Sequence, residues 1–178
     1  MKRLVMRLLA ATGLLLILVV GVAWYLLRAS LPDIDGQLAV PGLTGEASIA
    51  RDAHGIPAIT ATTRNDLAFA TGFAHGQDRF FQMDLIRRQA AGELSELVGA
   101  AAIDTDKRFR FHRFRARARQ AFESATGEEK ALMEAYAAGV NAGLASLDAR
   151  PFEYFVLGAE PKAWEAVDSL LAVYNMYT

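Results

Sequence analysis

Cysteine is absent from this chain. Disulfide frameworks, thiolate metal sites and cysteine nucleophiles are therefore excluded. Histidine is scarce, His54, His75 and His112 being the whole supply, which argues against a multi-histidine metal centre. Neither sign of charge is in excess: the formal net charge is −1, so no global field points to nucleic acid. No Gly-rich phosphate loop, G-x-S-x-G or H-E-x-x-H motif occurs, and no internal repeat is visible. What is abundant is apolar side chain, at 53% of 178 residues. That is more than a soluble domain usually carries, and the chain is long enough for one domain with a real core.

Part of the apolar excess sits in residues 1–30. Lys2, Arg3 and Arg7 precede an uncharged run, Leu8–Leu27, of about 20 residues, the length that crosses a bilayer as a helix. The run ends in Trp24, Tyr25, Leu26, Leu27 and Arg28. This exit is bulky where a cleaved signal peptide has small residues, and its aromatic pair suits a membrane interface. The expectation is an uncleaved anchor, with a cleaved signal as the alternative. The basic leader puts the N-terminus inside, so everything after Ser30 is exported. In a bacterium the chain would be held on the inner membrane through residues 8–27 with its C-terminal part in the periplasm, or be free there if the segment is removed. Residues 31–45 carry Pro32, Gly36, Pro41, Gly42 and Gly45 and read as a linker. Residues 46–178 read as the folded region.

Within it, Ala47–Arg51 and Ile56–Ala61 are β-compatible, with Asp52–Gly55 as the turn between them. A lone hairpin is marginal in water, and almost no other strand is offered, so its partners are expected elsewhere. Asn65 or Asp66 is positioned to cap a helix beginning near Leu67. The organising stretch is Gly72–Gly99, where Phe73, Phe80, Met83, Leu85, Ile86, Leu94 and Leu97 recur at helical spacings. Asp84 and Arg88 are four apart and can meet on one helix face, as a surface ion pair. Gly92 marks a break or close packing, and Gly99 suits a C-terminal cap. Residues 100–106 read as a loop, or as a short turn ending in Asp104, Thr105 and Asp106. Lys107–Glu123 reads as one basic helix whose Arg stems cover apolar surface. Thr126 and Glu129 form a capping box for a helix over 128–147. Gly139 and Gly143 on that helix admit a close neighbour, and Asn141 is a hydrogen-bonding spacer. Phe152–Gly158 reads as a connector, Pro161–Trp164 as a turn, and Asp168 or Ser169 as the cap of a last helix. Stop signals are missing from that helix, so the chain is expected to continue.

The order of these blocks resembles the α-chain of the penicillin acylase family of N-terminal nucleophile hydrolases. The blocks are Arg51–Ile59 (RDAHGIPAI), Asp66 and Leu67, Gly72–Arg88 (GFAHGQDRFFQMDLIRR), Gly92–Gly99 (GELSELVG), Ala135–Ala142 (AYAAGVNA), and Pro161-x-x-Trp164 with Asp168. The resemblance runs from about Glu46 to Thr178. It implies an α+β fold: a mostly helical α-chain whose strands join those of a β-chain in an αββα sandwich, with the N-terminal transmembrane helix added. It implies an exported precursor cut into an αβ heterodimer that hydrolyses N-acyl amides (β-lactam side chains, acyl-homoserine lactones or similar) to an acid and an amine. The nucleophile would be the serine that begins the β-chain, its own amine acting as base through a water. No catalytic residue is therefore expected here, since Ser30, Ser48, Ser95, Ser124, Ser146 and Ser169 are all internal. No cofactor or metal is expected in this segment either, although family members often bind one Ca²⁺, mainly through β-chain carboxylates. The resemblance assigns one wall of the acyl pocket to Tyr174, Met176 and Tyr177, with Tyr177 foremost. The alternative function is a non-enzymatic, membrane-anchored helical module binding a partner through its aromatic helices. A nucleic-acid binder using Lys107–Arg119 is the weakest reading.

Overall fold

The computed structural model describes residues 2–177. Helix α1 (Lys2–Ala29) carries no buried residue. Only Leu26 and Ala29 are partly shielded, in its last turn, so it stands clear of the domain. It is long and apolar enough to cross a membrane. Strands β1 (Ala47–Arg51) and β2 (Pro57–Ala61) pair antiparallel, with Ile49 opposite Ile59. They form the only sheet among the described residues. One face packs on the next helix, where Arg51 grips Asp78 with both guanidinium nitrogens (2.7 and 3.0 Å).

That helix, α2 (Arg64–Ala91), is the hub. It contacts the hairpin and most of the helices that follow. It starts earlier than the expected Leu67, and Thr63, not Asn65 or Asp66, is its cap. The Thr63 hydroxyl accepts from the Asp66 N–H (3.0 Å), which satisfies one of the free donors of the first turn. The Asp66 carboxylate instead reaches back to the linker, accepting from the Thr44 N–H (2.8 Å) and hydroxyl (2.9 Å). Gly92 ends α2 in the left-handed region, at φ 69°, as expected.

Helix α3 (Ser95–Val98) and a short 3₁₀ turn (Gly99–Ala102) lead into α4 (Ile103–His112). Residues 100–106 are thus helical, not a loop. Buried Asp106 explains this, because its two oxygens accept from the Leu94 and Ser95 N–H groups (both 2.8 Å) and so cap α3 from another helix. The expected single helix 107–123 is two. Arg113 takes φ 55° and separates α4 from α5 (Phe114–Ser124).

Helix α6 (Gly127–Ala145) begins with the expected capping box. It runs alongside α2 in the same direction. Gly139 and Gly143 meet the Phe69 and Phe73 carbonyls, while Gly72 and Gly76 meet the backbone of Tyr136 and Val140. Two pairs of glycines, each four apart, thus interlock two helix backbones. A Cβ on any of the four would come within 2.0–2.2 Å of a carbonyl oxygen. The region read as a connector is helix α7 (Phe152–Leu157), and the last elements are α8 (Asp168–Tyr174) and a 3₁₀ turn, Asn175–Tyr177. The main core joins Phe80, Leu97, Val140, Tyr154 and Trp164, and a smaller one joins Ala90, Ala118 and Leu171.

Candidate functional site

Between the cores lies a cluster of buried charge. Asp84, Arg87, Arg88 and Asp168 are all at most 4% exposed. The pairing expected on the surface is therefore internal, and it is wider than one pair. Asp84 accepts from Arg87 (2.7 Å), Arg88 (2.9 Å) and the Tyr154 hydroxyl (2.7 Å). Arg87 also donates to Asp168 (2.6 Å) and to the carbonyls of Lys162 (2.6 Å) and Ala163 (2.8 Å). Its guanidinium stacks over Trp164 at 5.0 Å. Arg115 joins Asp168 (3.3 Å) to Glu93 (2.7 Å on each oxygen). Burial disfavours charge on Arg87, but Asp84 and Asp168 outweigh it and hold the guanidinium above its ordinary value. Asp168 is thus a partner of α2 and α5, not the free cap of α8 that the sequence suggested. Asn141 does act as a spacer, its amide bracketing the Trp164 N–H (2.8 Å) and carbonyl (2.9 Å).

This cluster is structural chemistry. Every charge in it faces an opposite charge, and its acceptors are filled by protein donors, which is the condition for tolerating buried ions. The basic stretch is also largely committed. Arg115 is paired as above and Arg110 donates to the Gly92 carbonyl (2.7 Å), so 107–119 is not one continuous cationic face.

Beside the cluster, a groove of about 340 Å³ opens between α2, α6 and α8. Met83 and Ile86 line it from α2, Leu132, Met133 and Tyr136 from α6, and Ser169 and Ala172 from α8, together with Trp164. The Tyr136 hydroxyl is 2.8 Å from His75 Nδ1. Burial pushes Tyr136 up to about 12. Burial likewise lowers His75, with Arg79 adding to the effect and Asp78 opposing it, so the imidazole is neutral at pH 7. Leu132 and Met133 are half-buried on α6.

The three expected wall residues lie together at the end of the described chain. Tyr174 is half-buried and stacks on Phe114 at 5.4 Å. Met176 and Tyr177 are 81% and 82% exposed. They do not line the groove. Among the described residues no serine or threonine hydroxyl is bonded to a histidine. The Ser169 hydroxyl takes the Trp164 indole N–H (3.1 Å), and the Ser146 hydroxyl donates to the Gly143 carbonyl (2.7 Å). Nor does any group of three His, Asp or Glu suited to a metal occur among them. Sequence reasoning missed the groove and the Asp84–Arg87–Asp168 link. The i, i+3 spacing of Asp84 and Arg87 was a usable signal for half of that link, whereas Asp168 lies 81 positions away.

Residues 46–178 match the family described as penicillin amidase. The chain is 44% identical over 150 residues to the penicillin acylase 2 proenzyme of Pseudomonas sp. (strain SE83), covering 84% of this chain and 19% of that protein. It is 36% identical over 143 residues to the acyl-homoserine lactone acylase QuiP of Pseudomonas aeruginosa, covering 80% and 17%. Among solved structures it is similar to the thermostable penicillin G acylase of Alcaligenes faecalis. The TM-score there is 0.67 at 25% identity, over 75% of this chain and 73% of that one. The chain spans about a fifth of the length of the curated relatives it matches.

Proposed function

This chain belongs to the penicillin amidase family, and from that premise we propose that it is the α-chain part of an exported acylase. The reaction is hydrolysis of an N-acyl amide: water adds at the carbonyl carbon, the C–N bond breaks, and a carboxylic acid and an amine leave. The observation that carries this reading is the match over 46–178, combined with a relative named a proenzyme. The nucleophile is assigned to a second chain of the same precursor, paired with this one as an αβ heterodimer. The Ser146 hydroxyl, bonded to Gln77 and the Gly143 carbonyl, and the Ser169 hydroxyl, bonded to the Trp164 indole, agree with that assignment.

Three surfaces here suit such a partner. The hairpin has unpaired outer edges among the described residues, and in this reading they extend sheets supplied by the second chain to complete an αββα sandwich. The apolar groove is half-exposed surface that a packed neighbour would cover. Met176 and Tyr177, exposed at the chain's end, form with Tyr174 the wall against the acyl group. The neutral, fully satisfied charge cluster is the scaffold that holds α8 in position for this. The retained α1 tethers the assembly on the periplasmic side of the inner membrane.

The test is to express residues 1–178 alone and together with the downstream region of the precursor, and to assay release of amine from penicillin G and from an acyl-homoserine lactone. Activity is expected only with both parts present. Turnover by 1–178 alone would overturn the assignment. Tyr177→Ala in the active assembly is expected to raise KM for one acyl class with little change in kcat, and unchanged kinetics for every acyl chain would remove Tyr177 from the wall.

A further inference from the structure

The last turn of α1 is bonded to the domain at one place. The Ala149 N–H donates to the Ala29 carbonyl (3.0 Å), and the Ser30 hydroxyl donates to the Arg150 carbonyl (2.8 Å). Just beyond Arg150 begins α7, with the sequence FEYFVL. Tyr154 turns inward to Asp84. Phe152 and Val156, four apart, share the opposite face. They are 45% and 79% exposed, and Leu157 beside them is 37% exposed.

We propose that this face of α7 lies in the lipid interface beside the anchor, so that the exported domain rests on the bilayer instead of swinging from a single helix. The inference rests on reading α1 as a retained anchor. Trp24 and Tyr25 mark the aromatic belt of the interface. Ala29 lies roughly 7.5 Å further along the helix axis at 1.5 Å per residue. The polar layer of a bilayer is itself about 5–8 Å deep on each side. The Ala29–Ala149 bond therefore falls at the outer edge of that layer, and Phe152 is within about 7 Å of Arg150 along the chain.

The chemistry of the face fits the same occupant. Phe152, Val156 and Leu157 on it are apolar, with half-buried Glu153 at its flank, and apolar helical faces insert at the boundary between headgroups and acyl chains. Of the adjacent charges, Arg150 pairs with Glu160 and its guanidinium covers the Phe155 ring at 4.4 Å. A protein partner would need to be recruited to this face. The membrane is brought to it by the covalent chain in every copy.

The lack of native cysteine allows a clean test. The full chain carrying Val156→Cys is labelled with an environment-sensitive fluorophore and reconstituted in phosphatidylethanolamine–phosphatidylglycerol vesicles. Glu128→Cys, at the start of α6 with a side chain 82% exposed, is the comparison. Both positions are at the surface, so neither substitution disturbs the core. Lipid-borne quenchers are expected to act at least about twofold more strongly at 156 than at 128, and aqueous iodide the reverse. Equal quenching at the two positions, or a label at 156 shielded from both quenchers by protein, overturns the inference while leaving the anchor reading intact. A mature chain found by mass spectrometry to lack residues 2–29 overturns the anchor reading and this inference with it.

Discussion

Replacing Arg87 by methionine removes the one guanidinium that four acceptors share. The side chain is buried, and its partners are Asp84, Asp168 and the carbonyls of Lys162 and Ala163, all within 2.8 Å. Methionine keeps most of the stem that packs beneath Trp164, so the loss is chiefly electrostatic. Breaking a buried pair by removing one partner costs about 3–5 kcal/mol. Here neither carboxylate is abandoned. Asp84 keeps Arg88 and the Tyr154 hydroxyl, and Asp168 keeps Arg115 and the Glu165 N–H (2.9 Å). That places the ionic part at the lower end, and two carbonyls stripped of a donor bring the whole to about 4 kcal/mol. With a urea dependence of about 2 kcal/mol per molar, the unfolding midpoint should fall by about 2 M. Trp164 reports it directly, because its ring is 3% exposed and stacked on Arg87. Trp24 is the only other tryptophan, and Trp24→Phe silences it. The measurement is a urea titration of the 178-residue chain in detergent, with Arg88→Met alongside. Arg88 loses one bond to Asp84 and one to Glu96, which is partly exposed, so its shift should be the smaller. A midpoint change below about 0.5 M for Arg87→Met, or one no larger than for Arg88→Met, would refute the picture of Arg87 as the central tie.

Gly139→Ala should destabilise by about 3 kcal/mol, because its Cβ would sit 2.0 Å from the Phe69 carbonyl oxygen; a thermal melt unchanged within error would contradict the interlocked helices. Asp106→Ala should cost about 1–2 kcal/mol by uncapping the Leu94 and Ser95 N–H groups, read as faster amide exchange confined to α3. Asp66 is held low by the Thr44 N–H and the Thr63 hydroxyl; Asp106 is held low by bonds from Ser95 and Leu94 that outweigh its burial. Such depressed groups contribute stability that is present above the ordinary value of 3.8 and lost as pH falls below it. Acid unfolding should therefore begin below pH 4, with Asp106→Asn flattening that limb of the melting curve. At the alkaline end, burial raises Tyr136 to about 12, and burial together with Asp84 raises Tyr154 further. That stability is present below the ordinary value of 10.0 and lost as pH rises above it. Tyr154→Phe should weaken the alkaline limb while costing about 1–3 kcal/mol at neutral pH, and an unaltered high-pH profile would show that Tyr154 is not the buried phenol responsible.

Features set by neighbours in the chain were legible. The hairpin, the Thr126–Glu129 capping box, the Gly92 stop and the long apolar first helix were all expected from local pattern. Errors cluster where a distant side chain intervened. Residues 100–106 fold as helix because Asp106 caps α3 across the loop. The cap of α2 fell to Thr63 because Asp66 is engaged by Thr44, 22 positions earlier. The break at Arg113 had no warning, since glycine is the usual left-handed residue and arginine is not. The proposed wall residues Tyr174, Met176 and Tyr177 were assigned only through the family resemblance, and Met176 and Tyr177 are exposed in this structure.

Amino-acid order alone determined the membrane-length helix, the periodic helices and the family-like succession of motifs, because each depends on residues within a few turns of one another. Tertiary structure decided that Gly72 and Gly76 meet the backbone of Tyr136 and Val140 while Gly139 and Gly143 meet that of Phe69 and Phe73, that Asp84 and Asp168 are buried and joined by one arginine, and that the last turn of α1 is tied to the residues just before α7. Those contacts span tens of positions, and sequence spacing carries no record of which carboxylate a given guanidinium meets once the chain has closed on itself.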